Sequence, residues 1–363
     1  MSQFGVVAIA RNEGERFRRC LEALRERGGG ATVVYVDSGS TDGSVELARG
    51  LGVDVIELDL STPFTAARAR NAGFQRLVAI DPRVEFVQFL DGDCEIAEGW
   101  LDQALKTMQE RPGAAVVFGN TRERFPDRSL YNRLADVDWN MASDMSGTDG
   151  EAGWCGGNSV FRVTAFREAG GFDPSVPAGE EPEICQRLRS SGWKVFAIDA
   201  EMAWHDSAMF HFRQWAKRQF RTGYGGLDFS TRFGKIQGRE DPFRRQIVSA
   251  RVWGLGWTLA LVASIVLGWM LLGPVFAAFA AILLFLVPAA QASRIAAKNY
   301  RRIGSLGVAI AYGVLNMLAK PYQLAGQCLY LRDHRAGRHI RLIEHKSVAS
   351  ESRPHAGSAP ISS

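Results

Sequence analysis

Between Arg251 and Arg294 the chain has no charged residue, and the stretch "VWGLGWTLALVASIVLGWMLLGPVFAAFAAILLFLVPAAQAS" constrains its architecture more than any other feature. It is too long for one core helix, and Gly273-Pro274 divides it near its middle. A membrane span needs about 20 apolar residues at a rise of about 1.5 Å each, so 252–272 is expected to cross and the shorter 275–291 to return. The alternative is a buried helical hairpin. A third segment, "IGSLGVAIAYGVLNMLA" at 303–319, can span, re-enter or lie in the interface.

Short cytoplasmic loops retain Lys and Arg, which sets the orientation. Arg244, Arg245 and Arg251 precede the first apolar helix, and Arg294, Lys298, Arg301 and Arg302 follow the second, so both flanks are expected inside. A third crossing would put Arg332, Arg335 and Arg338 outside, which favours two spans plus an interfacial helix. The start, "MSQFGVVAIARNE", does not read as a signal peptide. These signals give a soluble cytoplasmic domain at 1–230, a basic connector at 231–251, a membrane region at 252–320 and a basic tail at 321–363. The end of that tail, "SVASESRPHAGSAPISS", is expected to be disordered. A net charge of +4 does not argue for nucleic acid, and five cysteines without a CxxC pair imply neither a zinc site nor a disulfide frame.

Through the first hundred residues, apolar β-branched runs alternate with amphipathic stretches. "GVVAIA" precedes a helix at about 12–27, "TVVYVD" one at 42–51 and "DVIEL" one at 65–79; "FVQFLDGD" follows. Such alternation predicts an α/β domain with a mostly parallel sheet, whose ligands sit at the carboxyl ends of strands, where Asp37 and Asp91 fall. Residues 119–157 are less regular and suit substrate contacts. A strand at "NSVFR", helices near 164–169 and 181–190 and the strand "KVFAID" complete the domain.

A nucleotide is the first ligand to test against this fold. The residues after the first strand, "AIARNEGERF", contain no GxGxxG, and no phosphate loop ending in Gly-Lys-Ser/Thr occurs. Carboxylates with a divalent cation remain, and Asp91-Gly92-Asp93 fits: a turn at Gly92 lets one carboxylate meet a ribose and the other a hard cation bridging two phosphates. The same stretch also reads as a solvated acidic turn. In "VDSGSTDGS", Asp37 is followed by Ser38, Gly39, Ser40 and Thr41, small residues over which a base and ribose can approach the backbone. Arg68 and Arg70 in "ARARNAGF" suit phosphate or an acidic partner.

"AIARNEGERFRRCLEAL", "VDSGSTDGS", "ARARNAGF", "FLDGDCEI", "WCGGNSVFR" and "GEEPEICQRLRSSGWKV" stand in the order and spacing of the inverting family 2 glycosyltransferases, which the chain resembles over about residues 5–205. "DAEMAWHDSAMFHFRQWAKRQFRTGYG", followed by apolar helices, resembles the bacterial exopolysaccharide (succinoglycan-type) glucosyltransferase branch. The resemblance implies a GT-A-like, Rossmann-like nucleotide-sugar domain and a UDP-sugar donor. It also implies Mg2+ or Mn2+, and a bacterial inner-membrane enzyme acting on a lipid-linked saccharide. Ala10, Asn12 and Glu13 would line the nucleotide pocket with Gly39 and Arg68, and Asp37 would bind uracil or ribose. Asp91 would contact ribose and metal, and Asp93 would be the direct metal ligand, with His205 as a third. The family's late acidic motif is usually Glu-Asp, its second carboxylate acting as general base; here it is Glu180-Glu181, which points to Glu181, with Glu180 or Glu183 as substitutes.

Trp154, Gly156, Gly157 and Asn158 fit an acceptor-side wall, Trp154 reading equally as core. Residues 209–225 interleave Phe210, Phe212, Trp215 and Phe220 with Arg213, Lys217, Arg218 and Arg221, as expected of a helix at an anionic leaflet. The Gln-x-x-Arg-Trp of processive relatives does not match "QWAKRQ", so one sugar per encounter is expected. The Glu-for-Asp exchange leaves a rival reading, an inactive membrane scaffold that binds nucleotide sugar or saccharide.

Overall fold

Buried β-branched runs form the centre of a mixed sheet in the computed structural model, which describes residues 4–62, 64–140, 150–176, 178–234 and 241–337. The expected disordered tail lies outside the described residues. Strand β1 (Phe4–Ala10) leads to helix α1 (Glu15–Arg27), β2 (Thr32–Asp37) to α2 (Ser44–Gly50), β3 (Asp54–Glu57) to α3 (Ala66–Ile80), and β4 (Phe86–Asp91) follows. The four strands pair in parallel in the order β3-β2-β1-β4. The chain leaves β1 toward β2 and later returns to its other side, and ligands of open α/β sheets bind where the winding reverses in this way. Register sets Ala10 beside Asp37 and Ile9 beside Asp91, so three carboxyl ends share one edge.

The second half adds β5 (Cys94–Ile96), α4 (Trp100–Glu110), β6 (Ala114–Glu123), α5 (Leu130–Trp139), β7 (Glu151–Ala152), β8 (Ser159–Arg162), α6 (Val163–Glu168), α7 (Glu180–Ser190) and β9 (Lys194–His205). Antiparallel β8 joins β4 to β6, β9 runs parallel to β6, and β5 and β7 pair antiparallel with β9. The stretch expected to be irregular thus contains the end of β6, all of α5, and β7. Strand β9 continues past "KVFAID" to His205, which pairs with Cys94.

Helices α8 (Phe212–Phe233), α9 (Arg244–Arg251), α10 (Trp257–Leu272), α11 (Pro274–Ile303) and α12 (Leu306–Arg335) follow. Helix α9 runs through a wider π-type turn into α10, so the expected connector is helical from Arg244. Residues 244–272 and 274–303 have mean hydropathies of 2.1 and 2.2 over their most apolar windows and are long enough to cross a membrane. Leu259, Val262, Trp269, Met270, Phe279 and Ile282 point outward, an apolar surface that needs a non-aqueous neighbour.

Within the expected basic tail, residues 321–335 continue the third segment's helix through Pro321. Their buried Gln323, Gln327 and Asp333 favour a protein contact. In the helix expected at a leaflet, Trp215 and Ala216 of α8 are buried in a cluster with Ala319, and Arg218 lies 4.9 Å from the centre of the Trp139 ring.

Helices α8 and α12 cross almost backbone to backbone. A Cβ on Gly223 would fall 2.0 Å from the Gln323 carbonyl oxygen, and one on Gly326 2.1 Å from that of Phe220. Overpacking costs about 1–3 kcal/mol in a well-packed interior, and backbone yields less readily than a side chain. Gly326→Leu is therefore expected to part α12 from α8, read as new protease cleavage within 306–335 in detergent, with Gly307→Leu, which has open space, cleaved like the native protein.

Candidate active site

Helix α3 places one arginine at the centre of the acidic edge. Ala67, Arg70, Phe74 and Leu77 follow helical spacing and are buried, while Thr65 caps the helix by accepting from the Arg68 backbone N–H at 3.1 Å. The Arg70 side chain is 3% exposed and donates to Asp91 at 2.9 Å, Glu180 at 2.9 Å and Glu181 at 3.1 Å. Burial works against its charge, but Asp91, Glu181 and Glu180 outweigh burial and raise its pKa. One cation faces three carboxylates. The deficit falls on Glu181, whose pKa is pushed up to about 7 by burial first and by Glu180 second.

Arg68, expected in the nucleotide pocket, is half-buried and donates to the Thr62 and Asp59 carbonyls at 2.8 and 2.6 Å. Arg70 occupies the site, and its place in the apolar repeat of α3 was the signal for it. Gly157 comes so close that a Cβ there would lie 2.5 Å from Arg70 Nη2, 3.0 Å from Asp91 Oδ2 and 3.2 Å from Glu181 Oε1. Asn158 is buried beneath this contact: its Oδ1 accepts from the Asp91 N–H at 2.9 Å and its Nδ2 donates to Cys94 Sγ at 3.2 Å. Asn158, expected on the acceptor side, therefore pins the acidic turn in this structure. Trp154 is half-buried and packs against the main core. Glu183, also buried, is paired with Arg187 away from Arg70.

The turn after β4 separates the two aspartates. Asp93 is 4% exposed, and its Oδ2 lies 2.8 Å from His205 Nε2. Asp93, Cys94 and His205 bring one ligand atom each within 4.8 Å of one another. Burial, with Asp93 adding to it, pushes the Cys94 thiol well up, so it stays protonated. The donor set is then a carboxylate and an imidazole beside the half-buried Asp91, a fit for Mn2+ or Mg2+ completed by waters or phosphate oxygens.

The nucleotide-side residues are drawn together by their loops. Asn12, at φ 53, donates its backbone N–H to Ser40 Oγ and accepts from the Thr41 N–H at 2.7 Å, tying the loop after β1 to that after β2. Ala10 accepts from the Ser38 N–H, and Glu13 pairs with Arg16 at 2.7 Å. Asp37 is 2% exposed and accepts from the Gly39 and Ser40 N–H groups and from Tyr35 Oη. In this structure its carboxylate holds the turn, and Gly39 presents backbone at φ +89.

Residues 5–170 match the family described as Glycosyl transferase family 2. The glycosyltransferase AglE of Haloferax volcanii is 25% identical over 228 residues, 61% of this chain and 72% of AglE. The succinoglycan biosynthesis protein ExoA of Rhizobium meliloti is 25% identical over 204 residues, 53% of this chain and 60% of ExoA. Among solved structures, the mannosyltransferase PcManGT from Pyrobaculum calidifontis, in complex with GDP-Man and Mn2+, is similar with TM-score 0.56 at 19% identity, covering 91% of this chain and 87% of PcManGT. The α/β domain is GT-A-like.

Gly157→Ala is expected to displace Arg70 and to lower unfolding stability by about 1–3 kcal/mol. Gly156→Ala, with nothing near its Cβ, should stay within about 0.5 kcal/mol of the native protein in the same denaturant titration.

Proposed function

We propose, from the premise that residues 5–170 form a family 2 glycosyltransferase domain, that this protein is a membrane-anchored inverting transferase. It moves a sugar, glucose by the likeness at 199–225, from a UDP-sugar to a lipid-linked saccharide in exopolysaccharide or cell-surface polysaccharide synthesis. The observation that carries the reading is Glu181, a carboxyl raised to about 7, held by Arg70 beside Asp91 on the sheet edge that also bears Asp93 and His205. The outward apolar helices support a lipid acceptor, and their basic flanks support a cytoplasmic catalytic domain at the bacterial inner membrane.

Inversion is an in-line displacement. Glu181 accepts the proton of the acceptor hydroxyl as that oxygen bonds the anomeric carbon, and the opposite bond to phosphate breaks, its electron pair leaving with the nucleoside diphosphate. Arg70 keeps Glu181 aimed and Asp91 at the crevice mouth. Asp93 and His205 would hold a divalent cation, which when bound would neutralise charge on the departing diphosphate. Glu is one methylene longer than the Asp usual in the family, and its contact with the deeply set Arg70 draws the carboxylate back to the helix start.

The deciding experiment measures UDP release by the full chain from a panel of UDP-sugars with native lipid extract, with Mn2+ or Mg2+ and then EDTA. Release from one donor that vanishes with EDTA and in Asp93→Ala is expected. No release from any donor would favour the scaffold reading. Glu181→Gln should lower kcat/KM by about 10²–10⁴-fold. The base works when ionised, so kcat/KM of the native enzyme should fall as pH drops below about 7.

A further inference from the structure

Metal-binding imidazoles usually fix their ring plane by donating the second nitrogen's N–H to an oxygen acceptor. His205 makes a hydrogen bond through Nε2 to Asp93, and among the described residues Nδ1 makes none. Its ring lies instead against Trp139, with centroids 4.0 Å apart and planes inclined by 30°. Resting on the reading that Asp93 and His205 hold a divalent cation, we propose that Trp139 is a positioning residue that fixes the His205 imidazole by its ring face.

The elements around Trp139 are built to hold it. It ends α5, whose cap, Ser129, donates to the Met209 carbonyl, while Asn132 Oδ1 accepts from the Ser207 hydroxyl and the Met209 N–H. One end of the helix is thereby bound to the segment that follows His205. At the other end Asp136 is paired with Arg122 at 2.9 Å, and Asp138 accepts from Tyr312 Oη of α12 at 3.1 Å. The Arg218 guanidinium lies over the indole at 4.9 Å and is attracted by the Asp138 carboxylate of the same helix as Trp139. A tryptophan serving only as core filler needs none of this; a flat ring fixed from both ends of its helix restricts the rotation that the single Nε2 contact leaves open.

The test is Mn2+ binding by the full chain in detergent with UDP, read from the electron paramagnetic resonance of free Mn2+. The variants are His205→Ala, Trp139→Leu and Trp139→Phe. Trp139→Leu keeps apolar volume and loses the ring face; Trp139→Phe keeps a face. Loss of a supporting contact to a metal ligand costs about 10–100-fold in affinity, so His205→Ala and Trp139→Leu should each weaken Mn2+ by at least about tenfold. Trp139→Phe should stay within about threefold of native. Native-like binding by Trp139→Leu while His205→Ala loses Mn2+ would overturn the positioning role alone. Binding that His205→Ala leaves unchanged would overturn the metal reading and this role with it.

Discussion

A single buried guanidinium against three carboxylates sets the chemistry of this domain. Arg70 lies on the core face of α3, so it cannot withdraw to solvent, and Asp91, Glu180 and Glu181 converge on it from β4 and α7. Removing one partner of a buried pair costs about 3–5 kcal/mol, because the other charge stays uncompensated. The cluster thus joins two elements far apart in sequence. Burial first, and the neighbouring Glu180 second, then raise Glu181 to about 7 against the pull of Arg70.

The second anchor is His205. It can reach Asp93 because β9 continues beyond the sheet centre and pairs antiparallel with β5, directly after the acidic turn. Segments flanking that histidine lead into α8, which crosses α12 through glycines on both partners. The apolar helices are thus joined to the domain by close backbone contact, and Asp138 to Tyr312 adds a polar link from α5.

Much of this was legible in the chain. The alternating apolar runs fix parallel strands, and Asp37 and Asp91 fall at strand ends because a buried strand stops where polar residues begin. Asp93, His205, Glu180 and Glu181 were singled out by motif, and the structure brings them to one edge. Arg68 and Arg70 both suit an acidic partner by residue type, and the helical repeat of α3 puts only Arg70 on the buried face that meets the carboxylates. Asn158 reads from sequence as part of an acceptor-side wall with Trp154, Gly156 and Gly157. Its hydrogen bond to the Asp91 backbone depends on the β4–β8 pairing, which has no local signature. Trp139 was not singled out, since nothing near it in sequence points to a histidine so far along the chain.

The sequence by itself determined the elements, the apolar hairpin and the identity of the acidic residues, because periodicity, charge and turn chemistry act over a few neighbouring residues. Only the tertiary structure decided which carboxylate shares a cation with which and what faces the imidazole. It also decided that the last helix docks on protein over its buried polar face. Those outcomes depend on strand order and on contacts between distant segments, where burial and unlike charge at about 3 Å outweigh any local preference.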